Sequence, residues 1–419
     1  MNILFLCHRI PFPPNKGDKI RSYHMVRHLT KEHTIHLGAF VDDPADMRHA
    51  GTLRHIIGGE CLLVPLGAAA RMRMAQALVR GTPLSASYFS SSRLGRWVDL
   101  ILQKHDIGRA VVFSTAMAPY LLARRDFDPK RVIFDMVDVD SDKWRQYAET
   151  AAGLRSWIYR REMRTLLALE RRAACTFGAT LLVSPHETET FARLAPECTE
   201  RLYSVVNGVD LEYFAPDGPY PNPFGANETP IVMTGMMDYW PNAEGAIWFA
   251  RSILPLIRAT RPKARFYVVG ARPSEAVRSL AAPDVVITGK VDDVRPYLAH
   301  AGTVVAPLKL ARGLQNKVTE GMAMARPVVS TSAAARALNV SSGEDLWIAD
   351  EPEAFARAVI AALEAPAEIA ARARRYVEQN HDWDRNLHAL DRLLTAGPRG
   401  ETSRAPIGRT ALPLARAAQ

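Results

Sequence analysis

The stretch 303-TVVAPLKLARGLQNKVTEGMAMARPVVST-331 holds a β-branched run, a glycine-bearing turn, a segment with helical spacing and a second β-branched run. Strand, crossover helix and strand in that order read as two neighbours in a parallel sheet. Gly313-Leu314-Gln315 forms the turn entering a helix that carries Asn316, Lys317 and Glu320. The first turn of a helix has unpaired N–H groups and partial positive charge, and a glycine lets an anion approach the backbone. The dipole contributes only about 0.3–2 kcal/mol, so a lysine supplies the full charge that the amides lack. Glu320 comes three residues after Lys317, on the same helical face. A carboxylate there can accept hydrogen bonds from the paired hydroxyls of a ribose. A solvated surface Lys–Glu pair accounts for the same spacing.

The pattern repeats on both sides of this stretch. Upstream in the second half lie 230-PIVMTG-235, 265-RFYVVG-270 and 284-DVVITG-289, separated by helical patterns such as 243-AEGAIWFARSILPLIRAT-260, with 352-PEAFARAVIAALEAP-366 downstream. The first half alternates in the same way: 2-NILFLC-7, 34-TIHLGAF-40, 61-CLLVP-65, 110-AVVFST-115, 132-VIFDMVD-138 and 180-TLLVS-184 are strand-like. Between the first two, 18-DKIRSYHMVRHLTKE-32 has helical spacing, with Ile20, Met25, Val26 and Leu29 on or near one face. Such alternation predicts parallel sheets covered by helices on both faces. Several strands end in glycine, which puts turns at the carboxyl edge where ligands of open α/β sheets bind. The halves meet near 205-VVNGVD-210, and a late helical pair spans 374-RRYVEQNHDWDRNLHALDRLL-394. The Pro-, Gly- and Arg-rich tail from 396 to 419 has no core-forming period and is expected to be disordered.

A chain of 419 residues is long enough for two domains, and 48% hydrophobic with 23% charged residues is an ordinary globular balance. Lys and Arg number 53 against 44 Asp and Glu, a net charge of +9, which favours anionic partners without choosing among them. Cys7, Cys61, Cys175 and Cys198 are far apart, with no metal-type spacing; they read as separate small apolar residues, for which a reducing cytosol fits best. MNILFLCHR has no cleavage site behind its apolar run and reads as a buried strand. No run approaches the ~20 apolar residues of a membrane span. The segment 154-LRSWIYRREMRTLLALERR-172 is strongly basic and includes Trp157 and Tyr159; it reads as a solvated helix face or as a contact with anionic lipid.

The strings 205-VVNGVDLEYF-214, 288-TGKVDDVRPYLAHAGTVVAPL-308 and 313-GLQNKVTEGMAMARPVV-329 resemble the retaining glycosyltransferases of family four, as does the opening 3-ILFLCHRIPFPPNKGDKIRSYHMVRHL-29. The resemblance runs from about residue 1 to 395. With FDMVDVDSDKW and YWPN added, the chain looks closest to the sugar transferases associated with exosortase (PEP-CTERM) and exopolysaccharide gene systems. The resemblance implies the GT-B fold: two Rossmann-like α/β domains with parallel sheets facing across a cleft. On that reading residues 1–205 form the acceptor-side domain, with 381–395 packing back on it, and 206–380 bind the nucleotide-sugar donor.

Roles follow from the same resemblance. Glu320 holds the donor ribose, while Gly313, Leu314 and Asn316 face the diphosphate and sugar. The backbone at Val291 receives the base, the turn at Gly235 borders the donor, and Gly17, in the loop after the first strand, lies near the diphosphate and acceptor. Two departures stand out. The family's first glutamate of a pair about two helical turns apart is Arg312 here, and Met236 replaces the arginine expected after the second domain's first strand. Lys317, helped by Arg312 or Arg272, is therefore expected to hold the leaving phosphate as the catalytic cation. Asp138 stands where relatives often carry a histidine near the reacting sugar and is the candidate for orienting an acceptor hydroxyl. A plain alternative is a charged loop in which Ser141 or Asp142 caps the next helix.

The implied reaction transfers a sugar from a nucleotide donor to a glycan or polyprenyl-linked acceptor, with retained configuration, without metal and without any cofactor beyond the donor substrate. Closure of the two domains would bring the acceptor alongside and exclude water. The expected place is the cytoplasm, with peripheral contact on the inner face of the membrane. A nicotinamide-dependent oxidoreductase lacks its Gly-rich signature after the first strand, 7-CHRIPFPPNKGDK-19. A sugar-nucleotide epimerase shares the architecture but would need no acceptor. A nucleic-acid-binding protein would use the +9 charge, but the basic residues are dispersed, so nucleic acid is not an expected partner.

Overall fold

Seven parallel strands open the chain: β1 (Asn2–Cys7), β2 (Thr34–Val41), β3 (Gly58–Pro65), β4 (Ile107–Phe113), β5 (Val132–Val137), β6 (Ala179–Leu182) and β7 (Leu202–Ser204). They are seen in a computed structural model that describes residues 1–311, 313–365 and 367–395. The sheet order is β3-β2-β1-β4-β5-β6-β7. A second sheet contains β8 (Thr229–Thr234), β9 (Ala264–Val269), β10 (Val285–Gly289), β11 (Thr303–Ala306), β12 (Val328–Ser330) and β13 (Trp347–Ile348). Its order is β10-β9-β8-β11-β12-β13. Every pairing between these strands is parallel. In both sheets the order reverses beside the first strand, the doubly wound pattern of a Rossmann-like fold.

The chain divides into two units, one made of Met1–Val205 with the segment from Leu387 onward, the other of Val206–Asn386. Each has its own core. In the first, Leu4, Leu6, Val112, Phe134 and Phe177 pack together; in the second, Val232, Phe249, Phe266, Val304 and Phe355 do. Helices on both faces explain why the central strands are continuous apolar runs, as β1 shows with Ile3 to Cys7 wholly buried. Arg312 and the tail from 396 to 419 lie outside the described residues, and so does the disorder expected of that tail.

Several expectations need correction. The helix expected from 243 to 260 is three pieces: Trp240–Trp248, a π turn at Phe249–Ile253 and Leu254–Arg258. Pro255 has no N–H for the ladder, and the wider turn ahead of it absorbs the break. The strands β7 and β13 are too short for any periodicity to announce them. Cys175 and Cys198 are joined in a disulfide. The end of helix Gly153–Thr176 and the short helix Pro196–Arg201 pack together and bring the two cysteines into bonding distance. The cysteines therefore give no argument for a reducing compartment. Gly17, read as a loop residue, is the first residue of helix Gly17–Leu29.

That helix also buries charge that its pattern did not announce. Lys19 bonds Asp46 at 2.5 Å, and Arg21 donates to Asp135 at 2.8 and 3.2 Å and to the Val205 carbonyl at 2.7 Å. Arg21 and Asp135 are fully buried, so each needs the other.

At the carboxyl edge of the second sheet the backbones of β8, β9 and β10 converge. Gly235 N–H donates to Val269 and Gly270 N–H to Gly289. A Cβ on Gly270 would stand 1.7 Å from the Gly235 carbonyl oxygen, so no side chain fits. Gly270→Ala is expected to force the two turns apart and lower the unfolding midpoint of this unit by about 2–12 °C. An unchanged midpoint in a calorimetric scan would contradict the close approach.

Candidate functional site

In the second unit the strand order reverses between β8 and β11, and loops leaving their carboxyl ends flank the point where open α/β sheets bind ligands. The β8 loop begins at Gly235. The β11 loop runs through Pro307 and Leu308 to Gly313, whose φ of +59° is a left-handed value that suits glycine. Gly245 lets helix Trp240–Trp248 close on that loop, since a Cβ there would lie 2.6 Å from the Pro307 carbonyl oxygen.

Helix Asn316–Ala323 starts at the end of the β11 loop, with Gln315 before it and no side chain capping it. Gln315 instead accepts from the N–H groups of Val318 and Thr319. Lys317 is 7% exposed and donates to Asn242 Oδ1 at 3.1 Å. Asn242 in turn donates from Nδ2 to the Met236 carbonyl at 2.9 Å. One amide thus ties the lysine to the β8 turn. The Lys–Glu pair is not the solvated surface pair that the spacing also allowed. Burial lowers Lys317 to about 8, with the Glu320 charge opposing it. Burial likewise raises Glu320 to about 7 against the pull of Lys317. A cation and a carboxyl that both titrate near neutrality are what a site for an anionic ligand holds ready.

Around this pair stand residues that the sequence did not single out. Tyr213 is close enough to Glu320 to be influenced by its charge. The Arg295 guanidinium lies 3.9 Å from the Tyr213 ring centroid and is held by Asp293 at 2.8–3.0 Å. This cluster follows Val291, which lies just past the end of β10 and is partly buried. Arg272 lies in the loop after β9, is largely exposed and pairs with Asp238 at 3.6 Å. Asn242 sits in 239-YWPN-242, a string noticed only as a family resemblance.

In the first unit Gly17 opens its helix with nothing near the place of a Cβ. Beside it, Asp18 accepts from Arg9 and from His8 Nε2 at 3.3 Å. Burial would raise the Asp18 carboxyl, but His8 and Arg9 outweigh it and hold it well below the usual range. Asp138 immediately follows β5, next to Val137 with its left-handed φ of +69°. Its carboxylate accepts from Lys143 at 2.8 Å, and the same ammonium reaches Asp140 at 2.9 Å. Burial works against the Lys143 charge, yet Asp140 and Asp138 hold it above its ordinary value. Neither Ser141 nor Asp142 caps the following helix, which starts at Asp140. Ser141 donates instead to Glu170, from Oγ at 2.5 Å and from N–H at 3.1 Å, and burial lifts that carboxyl to about 8.

Among the described residues two groups have ligand atoms close enough together for a metal ion. In Cys175, Glu197 and Cys198 the sulfurs are already bonded to each other. In His36, Glu60 and His105, the Glu60 carboxylate is engaged by Lys104 and His105, both at 2.8 Å, and the Glu60 N–H points at His36 Nδ1.

Residues 228–365 match the family model described as Glycosyl transferases group 1. The Anabaena protein HepE, solved with UDP and glucose, is similar over 94% of this chain and 99% of its own, at 15% identity and a TM-score of 0.64. WaaG, a glycosyltransferase involved in lipopolysaccharide biosynthesis, is similar over 94% and 100%, at 16% identity and a TM-score of 0.65. For sucrose-phosphate synthase from Thermosynechococcus elongatus the shares are 94% and 98%, with 16% identity and a TM-score of 0.66. No curated protein sequence matches the chain. At such identities the likeness establishes the fold, and the fold is GT-B, with two Rossmann-like parallel-sheet units.

Proposed function

We propose that the chain is a glycosyltransferase that moves a sugar from a nucleotide-sugar donor to a glycan or polyprenyl-linked acceptor. The reading includes retention of anomeric configuration and a place in exopolysaccharide or cell-envelope glycan synthesis. One observation carries it: a buried ammonium, Lys317, stands at the opening of a helix beside the strand reversal, one turn from a carboxyl suited to a ribose. The group 1 family match covers this unit, and HepE, a structure of the same fold, was solved with UDP and glucose.

The barrier to transfer is cleavage of the bond between sugar and diphosphate, with negative charge growing on the leaving phosphate. In this reading Lys317 and the backbone amides from Gly313 to Lys317 receive that charge. Asn242 holds the ammonium in place, so no reorganisation is needed as the bond breaks. Glu320 accepts from the ribose hydroxyls, and the backbone at Val291 lies against the base. Asp138 orients the acceptor hydroxyl, whose proton passes to the departing phosphate. Lys317 takes the part of the arginine that Met236 replaces.

The test is a thermal-shift screen of the full chain against nucleotides and nucleotide sugars, followed by product analysis with an acceptor. One base and sugar should raise the unfolding midpoint, and the sugar should then appear on the acceptor. Stabilisation by none of them removes the reading; conversion of the donor sugar without transfer replaces it with epimerisation. The pH dependence is fixed in sign by the two perturbed groups. Raising the pH from 6 to 9 first ionises Glu320 near 7 and then discharges Lys317 near 8. Both steps make the pocket less attractive to an anion, so UDP stabilisation should fall across that range. A flat or rising profile would exclude these groups from the diphosphate site.

A further inference from the structure

Helices on the surface of a globular unit ordinarily turn apolar residues inward and polar ones outward. Helix Ala68–Arg80 reverses this on its outer side. Its buried positions are Ala70 and Ala77. Met72 and Val79, two turns apart on the opposite side, are 61% and 91% exposed. No charge interrupts the strip between them, where Ala75 is also exposed.

The helix Gly153–Thr176 is tied to this one. Arg161 donates to the carbonyls of Ala77 and Thr82, while Glu162 accepts from the N–H groups of Leu84 at 2.8 Å and Ser85 at 3.2 Å. These bonds hold the start of the long helix beside the short one. It adds Leu154, 72% exposed, and Trp157, 54% exposed. A surface pocket of about 260 Å³ lies against Trp157, with Arg160 and Arg164 on its wall.

Within these two segments the exposed charge is of one sign; helix Asp140–Thr150, packed on the start of the long helix, adds Glu149, which is paired with Arg145. Residues 68–88 contain three arginines and no acid. Residues 151–165 contain four arginines and a single acid, Glu162, which is buried under the Leu84 turn. Arg71, Arg80 and Arg155 are exposed around the apolar strip. A second copy of this surface would meet it with like charge. Nucleic acid would accept the arginines but gives no partner to Met72, Val79 and Leu154. A bilayer bearing anionic lipid supplies both an acyl boundary and phosphates.

We infer that the outer face of helix Ala68–Arg80 and the first turns of helix Gly153–Thr176 form one docking surface for an anionic lipid bilayer. The aliphatic side chains and Trp157 enter the acyl boundary, and the arginines bind lipid phosphates, with the Arg160–Arg164 pocket taking one headgroup. This stands on the first unit alone and does not require the donor assignment.

The test is co-sedimentation of the full chain with vesicles of equal parts phosphatidylglycerol and phosphatidylcholine, and with phosphatidylcholine alone. The unmodified chain should pellet with the anionic vesicles and not with the neutral ones. The pair Arg160→Glu and Arg164→Glu should weaken partition about 30-fold or more. The pair Met72→Asp and Val79→Asp should abolish it, even at low salt. All four positions are exposed, so unfolding midpoints should stay within about a degree of the parent, which keeps a folding defect separate from a docking defect. Failure of the unmodified chain to pellet overturns the inference, and so does full binding by the aspartate pair. Binding to single-stranded RNA that is lost in the glutamate pair but kept in the aspartate pair overturns it too, and assigns the arginines to nucleic acid. No arm uses a nucleotide sugar, so this result and the fate of the donor reading are read separately.

Discussion

Replacing Lys317 with alanine is expected to slow sugar transfer by about 10²–10³-fold, the usual effect of removing one fixed donor from a developing oxyanion. The loss should fall mainly on kcat, because the ammonium meets more charge as the phosphate departs than in the bound donor. The fold should survive. Without the lysine Glu320 remains protonated over a wider pH range, and Asn242 keeps its bond to the Met236 carbonyl. Lys317→Arg keeps the charge but not the compact geometry against Asn242 and should recover only part of the rate. Turnover unchanged in Lys317→Ala, with circular dichroism as the control, would take the lysine out of the mechanism.

Glu320→Ala should act differently, raising KM for the donor by about 10–100-fold and leaving KM for the acceptor near its parent value. Two hydroxyl donors to one carboxylate set that size. The same variant removes the charge that supports Lys317, so the lysine should lose its proton at lower pH. The fall of nucleotide affinity with pH should therefore become a single step, lying below the parent's lysine step. An effect confined to the acceptor would end the ribose assignment.

Much of the fold could be read along the chain. The strands at 2–7, 132–137 and 303–306 lie where β-branched runs put them, and the glycine-marked turns fall at carboxyl ends. The segment 243–260 could not be read correctly, because apolar periodicity continues through a π turn without showing it. Within the candidate site, Lys317 and Glu320 were visible as a helical pair after a glycine. The burial of Lys317 was not, because it depends on Asn242 and the β8 turn. Tyr213 and Arg295 were also hidden, since a stacked aromatic and guanidinium, 82 positions apart, leave no mark in either segment.

The amino-acid order by itself determined two successive series of parallel strands and crossover helices, with a lysine and a glutamate on one helix face after a glycine turn. Those features rest on neighbours within a few turns of chain, where spacing and side-chain shape decide. Tertiary structure alone decided which charges are buried and with what, Lys317 with Asn242 across 75 positions and Arg21 with Asp135 across 114, and which cysteines pair, Cys175 with Cys198 across 23. Sheet packing brings such partners together, and the low-dielectric interior that it creates draws the lysine and the glutamate toward neutral pH.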